Sequence, residues 1–270
     1  MTRIDTEQES ESEVAVEQPV LYMVEGAVAR ITLNRPEKRN ALNAGLISGL
    51  KDRLREASAN ERVRVVVIAG AGKDFCSGAD LSALQQIAEA SVAENAEDAR
   101  TLLELFLLIR QLPVPVVAAV KGRALAGGCG LASACDIVLA AASARFGYPE
   151  VKIGFVPAMV MAILRRNVSE KRAFELVTRG AEISAEQARE FGLINQVFAD
   201  DAFDEELASY LGDFEKLSHT AVSLTKTLLY QMDSLSFSAA LESGAEVNVI
   251  ARLTDDCQKR VAKFLSKAQK

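Results

Sequence analysis

Two glycine-bearing segments contain residues that could stabilise a negative charge with backbone groups alone. Residues 76–81 read CSGADL, and residues 122–130 read GRALAGGCG. Each segment follows an apolar run of the kind that predicts a buried strand. Loops of small residues can aim backbone N–H groups at one point, and two such donors form a pocket for a developing oxyanion. The two segments therefore predict enolate chemistry on a carbonyl compound.

A single acidic residue, Glu150, follows the second segment and has apolar neighbours on both sides. These neighbours are Phe146, Val151, Ile153 and Phe155. Apolar surroundings raise the pKa of a carboxyl group toward neutrality, which suits a residue that must both accept and donate a proton. The alternative is a solvated glutamate in a turn, because most glutamates lie at the protein surface. The residues alone leave both interpretations open.

Other catalytic motifs are incomplete. Residues 70–73 read GAGK, but a P-loop needs Ser or Thr after the lysine, where Asp74 stands. Phe75 occupies the place of the third glycine in a dinucleotide fingerprint. His219 is the only histidine and there is no G-x-S-x-G elbow, which argues against a serine-hydrolase triad. No group of acids, histidines or cysteines has metal-ligand spacing, so we expect no metal.

Composition excludes several classes of partner. The sequence has no tryptophan and no basic stripe, so nucleic-acid binding is not expected. Its longest apolar region, residues 112–144, is interrupted by Lys121, Arg123 and Asp136, so no membrane span is expected. The four cysteines lack Cys-x-x-Cys spacing and no secretion signal precedes them. We expect reduced thiols in a cytoplasmic protein.

The elements that must position these segments alternate between strand and helix. A hairpin is predicted around residues 25–26, and an amphipathic helix over residues 44–58. Apolar runs predict buried strands, and a run of small residues at 127–134 predicts a short helix that packs closely on its neighbours. The fold class is therefore α/β. The predicted strands after the hairpin cover residues 63–69, 116–120 and 137–140.

Charge and patterning divide the 270 residues into three parts. Residues 1–20 hold six acidic side chains against one arginine and show no apolar periodicity, which predicts a disordered tail. Residues 21–200 are predicted to form the core. Residues 201–270 have a helical pattern throughout and are predicted to pack on the core or on another subunit.

The ordered set of motifs resembles the enoyl-CoA hydratase/isomerase, or crotonase, superfamily. Further matches are LNRPEKRNAL at residues 33–42, the Cys135-Asp136 pair, and ISAEQA at residues 183–188 followed by GLI at 192–194. The resemblance runs from about residue 21 to the end of the chain. It implies a crotonase-like ββα spiral core with a helical C-terminal region that supports a homotrimer or homohexamer.

The resemblance also implies which residues hold an acyl-CoA substrate. The backbone N–H groups of Ala79 and Gly127 match the family's oxyanion donors, and a helix N-terminus at Gly127 would add positive potential. Glu150 matches a catalytic glutamate. No cofactor is implied, because CoA arrives as part of the substrate. The other implied substrate and CoA contacts are Lys38, Arg39, Ser77, Gly78, Asp80, Leu81, Gly128, Gly130 and Lys267.

Two positions depart from the family pattern. Hydratases of the family usually hold water between two glutamates, and Gly130 stands where the first would be. Residues 157–161 read PAMVM where the family is commonly glycine-rich, which would reshape the acyl pocket. Lys267 matches a lysine that reaches CoA across a subunit boundary, although a solvated charge in a lysine-rich tail is the simpler interpretation.

Three functions remain in competition. Hydration of a 2-enoyl-CoA is favoured by the oxyanion segments and by the dominant activity of the family. A Δ3,Δ2-enoyl-CoA isomerase needs only one carboxylate, so Glu150 alone would serve. A non-catalytic acyl-CoA binder would keep the pocket and lose the acids, and Gly130 fits half of that pattern.

Overall fold

The computed structural model describes residues 18–80, 85 and 89–268. Its larger sheet has six strands in the order β1-β2-β3-β4-β6-β9, and a smaller sheet has three in the order β5-β7-β8. The pairs β1–β2 and β7–β8 are antiparallel, and the other neighbours are parallel. The strands are β1 Val20–Glu25, β2 Val28–Leu33, β3 Val65–Gly70, β4 Val116–Val120, β5 Arg123–Leu125, β6 Ile137–Ala141, β7 Arg145–Gly147, β8 Ile183–Ser184 and β9 Gln196–Phe198.

Helices cover the sheets and form the whole C-terminal region. Within the described residues they are α1 Ala44–Ala59, α2 Val92–Gln111, α3 Gly127–Ala134, α4 Ala158–Asn167, α5 Glu170–Arg179, α6 Ala185–Glu190, α7 Phe203–Gly212, α8 His219–Gln231, α9 Phe237–Leu253 and α10 Asp255–Ala268. A short 3-10 helix, Pro149–Ile153, follows β7 and carries Glu150. None of the described helices has an apolar run long enough to cross a bilayer.

The larger sheet is buried on both faces because its central strands are apolar at every position. Val66 and Ile68 of β3 face a core built with α1 and α2. Val65 and Val67 face the opposite way, against Phe203 and its neighbours on α7. Successive side chains of a strand point to opposite faces, so a continuous Val/Ile run needs cover on both sides.

Most predicted elements are confirmed, with small shifts at their ends. The short helix of small residues is α3, at the predicted bounds. Val20, which was assigned to the tail, begins β1 instead, because it pairs with Leu33 and its side chain is buried. Residues 18 and 19 of the predicted tail are also described, and residues 1–17 lie outside the described residues.

A buried ion pair anchors α8 to the sheet layer. The ammonium group of Lys226 donates to the carbonyls of Ile109 and Val114 and to the carboxylate of Asp136. The hydroxyl of Tyr230 donates to the other oxygen of Asp136 at 2.6 Å. A buried ion pair is tolerated when hydrogen bonds satisfy both partners, as they do here. Lys226 and Tyr230 belong to α8, and no residue of this cluster belongs to either glycine segment.

The C-terminal helices α9 and α10 leave much apolar surface uncovered. Neither helix has a buried residue among those described, although α10 packs on α9. Such a group of exposed apolar side chains on two neighbouring helices is typical of a protein interface. The large exposed apolar side chains of the pair are Phe237, Leu241, Val249, Ile250, Leu253, Val261, Phe264 and Leu265.

Candidate active site

The first glycine segment presents the N–H of Ala79 to the outside. Leu42 pairs with Ala79 in a parallel bridge, in which the Leu42 N–H donates to Gly78 O at 2.7 Å and the Asp80 N–H donates to Leu42 O at 2.9 Å. A parallel bridge of this kind uses the groups on either side of Ala79 and turns its own N–H away. Among the described residues, no acceptor takes that N–H, and Ala79 is exposed.

The second segment presents the N–H of Gly127 at the start of α3. The first N–H groups of a helix have no intrahelical partner, and within the described chain no other acceptor takes this one. The preceding residue, Ala126, has φ 50° and ψ −128°, which is strained for a residue with a Cβ. Its N–H donates to Gly147 O at 2.8 Å, which helps to hold that conformation.

The two segments meet backbone to backbone. A Cβ on Gly78 would lie 2.8 Å from Ala126 Cβ and 3.7 Å from the Gly127 nitrogen. A Cβ on Gly128 would overlap the backbone oxygen of Cys76. Real side chains do not tolerate contacts under 3.0 Å, and Gly78 also has φ +98°. Glycine at both positions therefore lets the N–H groups of Ala79 and Gly127 lie close together.

Glu150 is half-buried, and one carboxylate oxygen has no partner. Oε2 is buried and makes no hydrogen bond to any described residue. Burial raises the pKa of Glu150 above its ordinary value, and a hydrogen bond from its own backbone N–H lowers it by less. Of the two interpretations left open by the sequence, the structure favours the desolvated carboxyl group over the solvated turn.

The position of the missing first glutamate is filled by another side chain. A Cβ built on Gly130 would overlap Val160 Cγ1 and would lie 3.1 Å from Val160 Cβ and 3.5 Å from Phe106 Cζ. Val160 belongs to α4 and comes from the PAMVM segment that departs from the family pattern. The wall next to α3 is therefore apolar at this point, and a side chain at position 130 would have to displace Val160.

The turn after β2 lies against the first glycine segment. The Ser77 N–H donates to Arg39 O at 3.1 Å, and the side chains of Lys38 and Arg39 are exposed. Both cations are therefore available to an anionic group near the segment. The nearest acid to Arg39 is Asp74, at 4.0 Å between Nε and Oδ2.

Two residues that hold this turn were not singled out from the sequence. The Arg35 guanidinium donates to Asp80 Oδ2 at 2.7 Å, so the predicted substrate contact Asp80 braces the turn through its carboxylate. Asn40 is fully buried and donates to the carbonyls of Ala71 and Asp74. Its φ of 54° is a conformation that asparagine tolerates better than most residues. The available signal was the pair of polar residues in the LNRPEKRNAL motif.

The remaining predicted contacts are Leu81 and Lys267. Leu81 lies outside the described residues. Lys267 is exposed in the last turn of α10, a helix that packs on α9. No group of three or more metal-binding side chains occurs in the described ranges.

The cysteines next to the glycine segments are poor nucleophiles. Burial raises the pKa of Cys76 to about 12 and that of Cys129 to about 11. Thiolates, not thiols, are the reactive species. The site therefore offers two free backbone donors and one desolvated carboxyl group, which is a set of groups suited to stabilising an enolate and moving a proton.

Comparison with known proteins agrees with this chemistry. The sequence model described as enoyl-CoA hydratase/isomerase matches residues 23–270. The chain belongs to the enoyl-CoA hydratase/isomerase family. It is 34% identical to the 2,3-dehydroadipyl-CoA hydratase of Escherichia coli K12, over 89% of this chain and 92% of that protein. The family predicted from the ordered motifs is confirmed.

Solved structures of the same family share the fold. An enoyl-CoA hydratase of Mycobacterium smegmatis superposes with a TM-score of 0.89 at 32% identity, covering 93% of this chain and 97% of that one. Human enoyl Coenzyme A hydratase domain-containing protein 3 gives a TM-score of 0.88 at 30% identity, covering 92% and 98%. The predicted crotonase-like fold is confirmed, and the relatives named as hydratases support a hydratase-type enzyme.

Glu150→Gln is expected to gain stability relative to the wild type as pH rises. The unfolded glutamate titrates near pH 4.3, about its ordinary pKa. Because burial raises the pKa of Glu150 in the folded protein, ionisation there opposes folding. The stability contributed by the protonated group is present below the unfolded pKa and is lost as pH rises through the folded pKa. Urea unfolding of both proteins across this range measures the difference.

Glu175→Gln is the matched control, with the opposite trend expected. Hydrogen bonds from Arg179, and to a smaller extent from Arg172, lower the pKa of Glu175. The wild type should therefore gain stability relative to this variant as pH rises. The same pH trend for both variants would contradict the desolvation of Glu150.

Proposed function

We propose that the protein hydrates a 2-enoyl-CoA. The N–H groups of Ala79 and Gly127 bind the thioester oxygen. Glu150 takes a proton from a water molecule as the water oxygen attacks C3 of the substrate. The electron pair of the double bond moves toward the thioester and forms an enolate at the two donors. Glu150 then returns the proton to C2, which restores the carboxylate and completes the 3-hydroxyacyl-CoA.

The observation that carries this proposal is that one segment has an unpartnered, buried carboxylate oxygen on Glu150 and is hydrogen-bonded to the segment that has a free backbone donor at Gly127. The carbonyl of Gly147, three residues before Glu150, accepts a hydrogen bond from the N–H of Ala126, the residue before Gly127. The acid-bearing segment and the Gly127 segment are therefore joined by a backbone hydrogen bond. The named activity of the E. coli relative supports hydration rather than another reaction of the family. Lys38 and Arg39, both exposed beside the first glycine segment, would bind the phosphates of CoA.

Isomerisation of a 3-enoyl-CoA is the second candidate, and the filled position at Gly130 favours it. Glu150 would remove a C2 proton, the enolate would form at the same two donors, and the proton would return at C4 as the double bond moves into conjugation. No water has to be held, so the apolar wall formed by Val160 and Phe106 costs this reaction nothing. A third candidate, a binder without activity, keeps the donors and makes no use of Glu150.

Glu150→Gln is expected to lower turnover by about 10²- to 10⁴-fold, because it removes the general base and acid. The assay offers a 2-enoyl-CoA and a 3-enoyl-CoA separately and follows the absorbance of the conjugated thioester. Hydration consumes the first signal, isomerisation creates it from the second, and a binder changes neither. Glu175→Gln should behave as wild type. Full turnover by Glu150→Gln would refute the catalytic assignment.

The side chains at positions 130 and 160 are expected to determine the rate of hydration relative to isomerisation. Gly130→Glu alone should fold poorly, because its Cβ would overlap Val160. Adding Val160→Ala removes the overlapping Cγ1 and leaves a Cβ–Cβ contact of 3.1 Å, and the double variant should hydrate faster relative to isomerisation than the wild type does. Val160→Ala alone is the control for the cavity. An unchanged ratio in a folded double variant would mean that the wall does not limit hydration.

We also propose that the protein assembles as a homotrimer or homohexamer through α9 and α10, since their exposed apolar side chains need cover. Light scattering should give three or six times the chain mass of 29.1 kDa. Leu253→Glu places a charge on the apolar face of α9 and should lower that mass, whereas Glu242→Gln should not. A monomeric wild type would contradict the proposal.

A further inference from the structure

Two hydrogen bonds tie the segment that carries Glu150 to the segment that carries the Gly127 donor. The Ala126 N–H donates to Gly147 O at 2.8 Å. The hydroxyl of Tyr148 lies 3.1 Å from the hydroxyl oxygen of Ser133 on α3. The second bond is thus made to a side chain of the short helix that begins with the Gly127 donor.

The direction of the Tyr148–Ser133 bond follows from counting protons. Ser133 has one hydroxyl proton, and it donates to the Cys129 carbonyl at 2.8 Å. A carbonyl only accepts, so the Tyr148 hydroxyl is the donor to Ser133. Tyr148 is fully buried, and burial raises its pKa well above the ordinary value. The hydroxyl therefore keeps its proton at any pH at which the protein works.

Glu150 has no comparable tether of its own. Within the described residues, its carboxylate makes no salt bridge, and Oε2 makes no hydrogen bond. The titratable groups that interact with it are Cys129 and Tyr148, and burial keeps both neutral. The position of the carboxylate must therefore come from the backbone of the turn, which begins at Tyr148.

We propose that Tyr148, through Ser133 of α3, is a positioning residue that holds Glu150 at a fixed place relative to the Gly127 N–H. α3 begins with that donor, so a bond from the acid-bearing turn to α3 couples the two reactive groups in one rigid unit. The effect on turnover rests on the proposed function, since it requires Glu150 to act on a substrate bound at Gly127. The coupling itself does not.

Tyr148→Phe removes the hydroxyl and keeps the ring in place. Turnover is expected to fall about 10- to 100-fold with KM little changed, because a small displacement of a catalytic group costs rate rather than affinity. Tyr230→Phe is the matched control, since it also removes a partly buried tyrosine hydroxyl with an acceptor, here Asp136, which follows the end of α3 opposite the Gly127 donor. Both variants should lose thermal stability, and only Tyr148→Phe should lose turnover.

A second measurement needs no turnover. With the Glu150 carboxyl carbon labelled, its NMR titration reports the pKa directly. A loosened turn lets water reach the carboxylate, so Tyr148→Phe should lower the pKa of Glu150 toward its ordinary value, while Tyr230→Phe should leave it unchanged. Ser133→Ala removes the same bond from α3 and should lower the pKa as well, which serves if Tyr148→Phe does not fold.

The outcomes separate the two proposals. If the wild type acts on neither enoyl-CoA and the pKa of Glu150 still falls in Tyr148→Phe, the positioning role of Tyr148 is supported and the proposed reaction is wrong. If the wild type is active, and folded Tyr148→Phe and Ser133→Ala keep both the pKa of Glu150 and the turnover number unchanged, the positioning role of Tyr148 is refuted.

Discussion

Close contact between two backbones, with no side chain between them, is the constraint on which the rest of the site depends. Gly78 meets Ala126, and Gly128 meets Cys76, at distances that exclude a Cβ. The contact brings together the two segments that carry the free N–H groups of Ala79 and Gly127, and the backbone alone holds these groups. Donors fixed by the backbone need no reorganisation when charge develops, which is the main advantage of a preorganised site.

The surroundings of α3, which begins with the Gly127 donor, are largely apolar. Buried thiols and a buried tyrosine stay protonated, and the nearest wall is formed by Val160 and Phe106. In such a setting an interaction with a developing charge is stronger than in water, and an unpaired carboxylate such as Glu150 is costly. The strained backbone at Ala126 adds to that cost. The protein sustains both because the loops are fixed by the sheet and by α3.

Loss of a side chain in one place is matched by gain in another. Gly130 has no side chain to offer, and Val160 extends into the space that one would occupy. The two departures seen separately in the sequence are therefore one change in three dimensions. Together they leave a packed apolar surface beside α3, and the proposed choice between hydration and isomerisation rests on this pair.

Local patterns in the sequence determined much of this protein. Alternation and apolar runs predicted the hairpin, the buried strands and the small-residue helix α3, because each pattern reflects which face of an element is buried. The ordered motifs identified the family and the residues of both glycine segments. Only the tertiary structure decided that Val20 belongs to β1, that Val160 fills the space at Gly130, that Arg35 pairs with Asp80, and that Tyr148 bonds to Ser133. Each of these is a contact between residues separated along the chain, and spacing alone does not fix the direction in which a side chain leaves a turn.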